Sequence, residues 1–192
     1  MKKLRWITSL FYGSLTALGL LLVACDEDDK ATTPAPTPIN TGDADFSRYV
    51  AIGNSLTAGF QSNALSERDQ AYSYPSLIAQ HIGVPDFQQP LMRDPGVGAR
   101  KRLVSLTGPI IVDETGVDPT DPTSNLNVTL ARPYDNLGIP GAIVYDMLDT
   151  TDFGAKSVAR GNPFFALILR DQALGKSIVE QALALSPTFI TV

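Results

Sequence analysis

The chain has 192 residues, a formal net charge of −5, a single cysteine and a single histidine. One cysteine excludes an internal disulfide framework and any cysteine-built zinc cluster, and one histidine excludes metal sites that need several. The 15 lysines and arginines are scattered with no basic stripe, so nucleic acid is not indicated as a partner.

The N-terminus reads as an address. Lys2, Lys3 and Arg5 precede an apolar run from Trp6 to Val23. Leu22-Val23-Ala24-Cys25 resembles the lipobox of bacterial lipoproteins. That resemblance implies a signal peptide over 1–24 and lipidation of Cys25. It also implies a place in the cell envelope, on the outer membrane of a Gram-negative bacterium. The alternatives are an uncleaved membrane anchor or an ordinary secretory signal with a free thiol. Asp26-Glu27-Asp28-Asp29 is either a solvated linker start or a surface-export signal, which such acidic runs resemble. Lys30 to Gly42 is rich in Thr, Pro and Ala, cannot build a core and favours extended geometry. The expected organisation is a tether over 25–45 and a folded domain over 46–192.

Tyr49-Val50-Ala51-Ile52, ending at Gly53, predicts a buried strand entering a tight turn. Ser73-Tyr74-Pro75 predicts a capped helix with Leu77, Ile78 and Ile82 on one face and Gly83 as its stop. Pro85 to Asp121 is punctuated by Pro, Gly and Asp, with Arg102–Leu106 and Pro109–Asp113 able to pair as a hairpin. Tyr134–Leu137 predicts a second core strand and Ala142–Leu148 a short helix. Asn162-Pro163 caps a helix toward Leu169, another helix spans about Lys176 to Leu185, and Thr188–Val192 is a third core strand. Strands alternating with helices argue for an α/β fold, a parallel sheet covered on both faces, with its active site beyond the carboxyl ends of the strands.

Gly53-Asn54-Ser55-Leu56-Thr57 therefore falls at the strand-to-helix turn where a site would lie. A serine there is either a helix cap or an exposed nucleophile whose own N–H faces a developing oxyanion. Thr57 stands where a G-x-S-x-G elbow needs its second glycine, which disfavours the α/β-hydrolase fold. Tyr49 to Gly59 as a whole resembles the first block of the SGNH (GDSL-like) hydrolases. Asn136-Leu137-Gly138-Ile139-Pro140-Gly141-Ala142 is similar to their second, glycine-bearing block. The resemblance implies a three-layer α/β/α, flavodoxin-like fold whose third strand pairs with the first. It also implies an ester hydrolase needing no cofactor or metal, with Ser55 as nucleophile, Ser55 and Gly141 as oxyanion donors, and a small-molecule or glycan ester as substrate.

The sequence departs from that pattern in three ways. Asn54 replaces the usual aspartate, keeping its size and one acceptor but not its charge. The segment 61–132 lengthens the spacing between the blocks, and reads equally as a wall over the site or as a surface insertion. The family's G-x-N-D asparagine and D-x-x-H pair do not occur among the 192 residues. The expected domain is thus incomplete at its C-terminus, with an uncovered sheet edge. His81 reads as a helix C-terminal residue rather than a base. Asp135 and Asp146 have no spacing argument for a dyad, and Asp113-Glu114 and Asp118–Asp121 read as loop solvation. The rival to the enzyme is a non-catalytic surface lipoprotein that binds glycan or protein.

Overall fold

Every residue from Tyr49 to Ile52 is apolar, so neither face of this strand can meet water, and only a central position satisfies both. The computed structural model describes residues 39–192, which belong to one unit, Pro38–Val192. The signal peptide, Cys25 and most of the tether lie outside the described residues. Strand β1 (Tyr49–Gly53) is the middle of a three-stranded parallel sheet. β4 (Asn136–Gly138) lies on one side and β5 (Phe189–Thr191) on the other. The third core strand does pair with the first, in the register Tyr49↔Phe189 and Val50↔Ile190. The protein is therefore an α/β fold around a parallel sheet.

Alternation along β1 sorts the core into two layers. Tyr49 and Ala51 face Ala79 of α3 (Tyr74–Ile82), with Phe46, Phe87 and Phe189 closing around them. Val50 and Ile52 face the larger cluster, which includes Phe164, Phe165, Ile168 and Leu169 of α5 (Phe164–Leu169). Ile178 and Ala182 of α6 (Ile178–Ala184) complete it. Each Val, Ile, Leu or Phe side chain fully removed from water in these layers contributes about 1.5–3 kcal/mol.

Local signals held at most termini. Ser73 Oγ accepts from Ser76 N–H at 3.4 Å and Gly83 ends α3 in the left-handed region, with φ 77°. The buried face of α3 differs from expectation. It is Pro75, Ser76 and Ala79, with the expected Ile78 packed against the Tyr49–Ala51 layer, while Leu77 is exposed. The hairpin formed as β2 (Arg100–Ser105) and β3 (Ile110–Glu114), with Leu103 opposite Ile111. The helix expected over 142–148 is instead a 3₁₀ turn, Val144–Met147, where Ile143 N–H donates to Asp146 Oδ2 at 2.8 Å. Helix α4 (Phe153–Arg160), capped by Asp152, is not among the expected elements. One of its inward residues is Lys156, held by Asp149 at 2.7 Å, and Arg160 reaches buried Asp146 at 2.7 Å. Two short helices, α1 (Ser55–Ala58) and α2 (Glu67–Gln70), complete the set.

Long irregular stretches between β1 and β4 are held by buried amides rather than by a ladder. Gln70 Oε1 accepts from Met92 N–H at 2.9 Å, and Asn127 bonds Leu91 N–H and Gln89 C=O. Asn125 donates to Tyr134 Oη at 3.1 Å. Each such bond satisfies a backbone or side-chain group that would be costly to leave unpaired in the interior.

Candidate active site at the carboxyl end of the sheet

β1 and β4 run parallel with Gly53 opposite Gly138, and Ile139 N–H continues the ladder by donating to Gly53 C=O at 3.0 Å. Both chains consequently leave the sheet at the same end. The first becomes α1 and carries Ser55; the second becomes the Pro140-Gly141 loop.

The two are packed backbone to backbone. A methyl group on Gly138 would lie 2.4 Å from Ala58 N and 2.7 Å from Thr57 C; one on Gly53 would lie 2.1 Å from Thr57 Oγ1. Asn136 fastens this contact. Its Nδ2 donates to Thr57 C=O at 2.8 Å while its Oδ1 accepts from Gly138 N–H at 3.0 Å. Thr57 Oγ1 also lies 3.3 Å from Tyr74 Oη. α1, only four residues long, is thus fixed by β4 and α3 in addition to its own few hydrogen bonds.

Asn54 caps α1, its Oδ1 accepting from Leu56 N–H at 3.3 Å. An uncharged amide oxygen is sufficient to cap this turn. Ser55 is half-buried at the first helical position, so no helical carbonyl can take its N–H. Among the described residues, neither that N–H nor the Ser55 hydroxyl has a hydrogen-bond partner, and the Gly141 N–H has none either.

Gly141 has φ 81°, which a side chain would strain, and a methyl group there would meet Asn162 Nδ2 at 2.8 Å. That same Nδ2 donates to Pro140 C=O at 2.7 Å, while Asn162 Oδ1 accepts from Phe164 N–H at 3.0 Å. Because a trans peptide sets C=O and N–H on opposite sides, holding the Pro140 carbonyl toward α5 turns the Gly141 N–H away from it. Sequence reasoning found Asn162 only as a helix cap and missed Asn136 as the clasp. Both roles depend on residues distant in the chain.

A cleft of about 580 Å³ opens between the two loops. Its walls are Gly53, Asn54, Leu56 and Thr57 from the first, and Ala142, Ile143, Val144 and Met147 from the second. Tyr74 and Val192 close its sides. The cleft thus touches both neighbours of Ser55 and the residue after Gly141. Tyr74 carries the one ionisable side chain on this mostly apolar wall.

Other candidates lie elsewhere. His81 is at the opposite end of α3 from Tyr74, about 10 Å along the axis, with Nδ1 at 2.9 Å from Leu77 C=O. Asp135 is buried against Arg132 at 2.9 Å and Arg48 at 3.7 Å, and Asp146 against Arg160. Asp113 pairs with Lys101; Asp118 and Asp121 accept from Thr120 and Thr123, bonds that hold both carboxyls below the ordinary aspartate range. No cluster of three or more metal-ligating side chains occurs among the described residues. The 61–132 segment divides: α3 supplies Tyr74 to the cleft wall, and the β2–β3 hairpin stands out in solvent.

Compared with protein-family models, curated proteins and solved structures, the chain matches none.

Proposed function

We propose that this chain is a serine ester hydrolase of the SGNH (GDSL-like) type, on a three-layer flavodoxin-like fold, held at the cell envelope by lipidated Cys25. The observation that carries the reading is the pairing at the end of the sheet. A serine with an unengaged hydroxyl and N–H follows β1, and a glycine with an unengaged N–H follows β4, in the two loops whose neighbouring residues wall one cleft. Ser55 Oγ adds to an ester carbonyl, and its proton passes to a base. The oxyanion is held by the N–H groups of Ser55 and Gly141. Collapse breaks the ester C–O bond, the alcohol leaves with a proton, and water hydrolyses the acyl-enzyme. The apolar wall suits the acyl side of a small-molecule or glycan ester. The described residues place no base, orienting acid or third donor at the cleft. The test therefore uses the longest reading frame that contains these 192 residues.

In that protein, Ser55→Ala abolishes both p-nitrophenyl ester turnover and fluorophosphonate labelling without shifting the thermal transition. Unchanged turnover refutes the assignment. The second reading, a non-catalytic lipoprotein that binds glycan or protein, is favoured by one observation: the sole histidine sits at the far end of α3 from Ser55. A folded wild-type protein that takes no fluorophosphonate label supports that reading.

A further inference from the structure

Among the described residues, the hydrogen bonds and ion pairs that tie the β2–β3 hairpin to the rest of the domain lie at its base. There Arg100 is buried and bonds Asp69 at 2.8 Å, Lys101 N–H donates to Ser62 C=O at 2.7 Å, and Asn63 Nδ2 donates to Ala99 C=O at 3.0 Å. Beyond the base, the ten residues Leu103 to Val112 carry no charge, and six of them are large and apolar: Leu103, Val104, Leu106, Ile110, Ile111 and Val112. All six are exposed, Leu106 at the tip by 85% and Ile111 by 63%. Strand alternation puts Leu103 and its cross-strand partner Ile111 on one face, and Ile110 and Val112 on the other beside Arg102, while Val104 sits at an irregularity in the pairing. Both faces of the ribbon are therefore apolar. A two-stranded ribbon with both faces bare is marginal in water.

We infer that this hairpin inserts into the interfacial region of a lipid bilayer. The two-sided pattern selects the occupant, because a folded partner or a second copy of the chain covers one face of a ribbon while lipid surrounds it. Length agrees: three residues past Arg102 extend about 10 Å at strand rise, matching the roughly 5–10 Å to which interfacial elements penetrate. Charge agrees as well. Arg102 stands at the root of the apolar tip opposite Val112 and joins no ion pair among the described residues, so its guanidinium lies at the depth of anionic headgroup phosphates. Asp113 at the same level is neutralised by Lys101. The inference rests on the lipoprotein reading only for bringing the domain near a membrane, and not on esterase activity.

The test uses the full chain with Cys25→Ser and Leu106→Cys, labelled at 106 with an environment-sensitive nitrobenzoxadiazole dye. It is mixed with phosphatidylglycerol/phosphatidylethanolamine vesicles. The expected result is a severalfold rise and a blue shift in emission, with quenching by spin-labelled acyl chains. A dye placed at exposed Gln80 stays aqueous, and Arg102→Glu weakens the response at 106. A dye at 106 that stays aqueous while the chain sediments with vesicles overturns the inference. So does shielding that appears without vesicles and grows with protein concentration, which marks a second copy as the occupant. Loss of Ser55 reactivity moves none of these readings.

Discussion

Gly138→Ala is the sharpest probe of how the site is built. The added methyl lies 2.4 Å from Ala58 N and 2.7 Å from Thr57 C, whereas ordinary non-bonded contacts begin near 3.5 Å. Both obstacles are backbone, so no rotamer relieves them; α1 must move from β4 by about 1 Å. Overpacking of this kind costs about 1–3 kcal/mol, and the rigid contact places this case in the upper half. At about 2–4 °C per kcal/mol for a protein of this size, the thermal midpoint falls by about 4–12 °C. Because α1 carries Ser55, the same displacement misplaces the nucleophile, and an error of about 1 Å costs on the order of 100-fold in rate. Differential scanning fluorimetry on the chain reads the first number. Ester hydrolysis by the longest reading frame, at a temperature well below the new midpoint, reads the second. A variant that keeps both its midpoint and its kcat/KM shows that α1 and β4 are not in backbone contact, and refutes the site geometry. Gly154→Ala, on the exposed side of α4, serves as a control and shifts stability by no more than about 1 kcal/mol.

Asn162→Asp keeps the acceptor that caps Phe164 but removes the donor to Pro140 C=O. It lowers kcat/KM about 10-fold or more, short of the 10²–10³ that loss of an oxyanion donor costs, with little change in thermal midpoint. An unchanged rate removes Asn162 from the site. Asp149 is held down to about 2 by its bond from Lys156 and then by Thr151. The folded state therefore keeps this carboxylate charged where the unfolded chain, near 3.8, takes up a proton. Its contribution is complete above pH about 4 and fades as pH falls toward about 2. Urea midpoints across that window decline less steeply in Asp149→Asn, and parallel curves contradict the assignment. Arg170 donates to Val128 C=O at 2.9 Å, Leu130 C=O at 2.7 Å and Arg132 C=O at 2.6 Å, and its guanidinium lies 4.0 Å from the Tyr134 ring. A lysine cannot span three carbonyls and stack at once, so Arg170→Lys destabilises by about 2–3 kcal/mol in denaturant titration.

Local chemistry wrote much of this into the sequence. The unbroken apolar run of Tyr49–Ile52 determined a central strand, Ser73 and Gly83 determined the ends of α3, and the β-branched residues around Gly108 determined the hairpin, because each signal acts within a few residues of itself. The position of Ser55 just past the first strand was legible for the same reason. What only the tertiary structure decided is everything that joins distant segments. Asn136 clasps α1 across 79 positions of chain, Asn162 orients the Pro140 carbonyl from the start of another helix, and the face of α3 that is buried is the one meeting Tyr49 and Ala51 of β1. α4 turns Lys156 inward to Asp149, so one of its two buried positions carries a charge whose partner only the fold supplies. Propensity and capping are energies of neighbours in sequence. The site is made of contacts whose partners the chain brings together only after the sheet has formed.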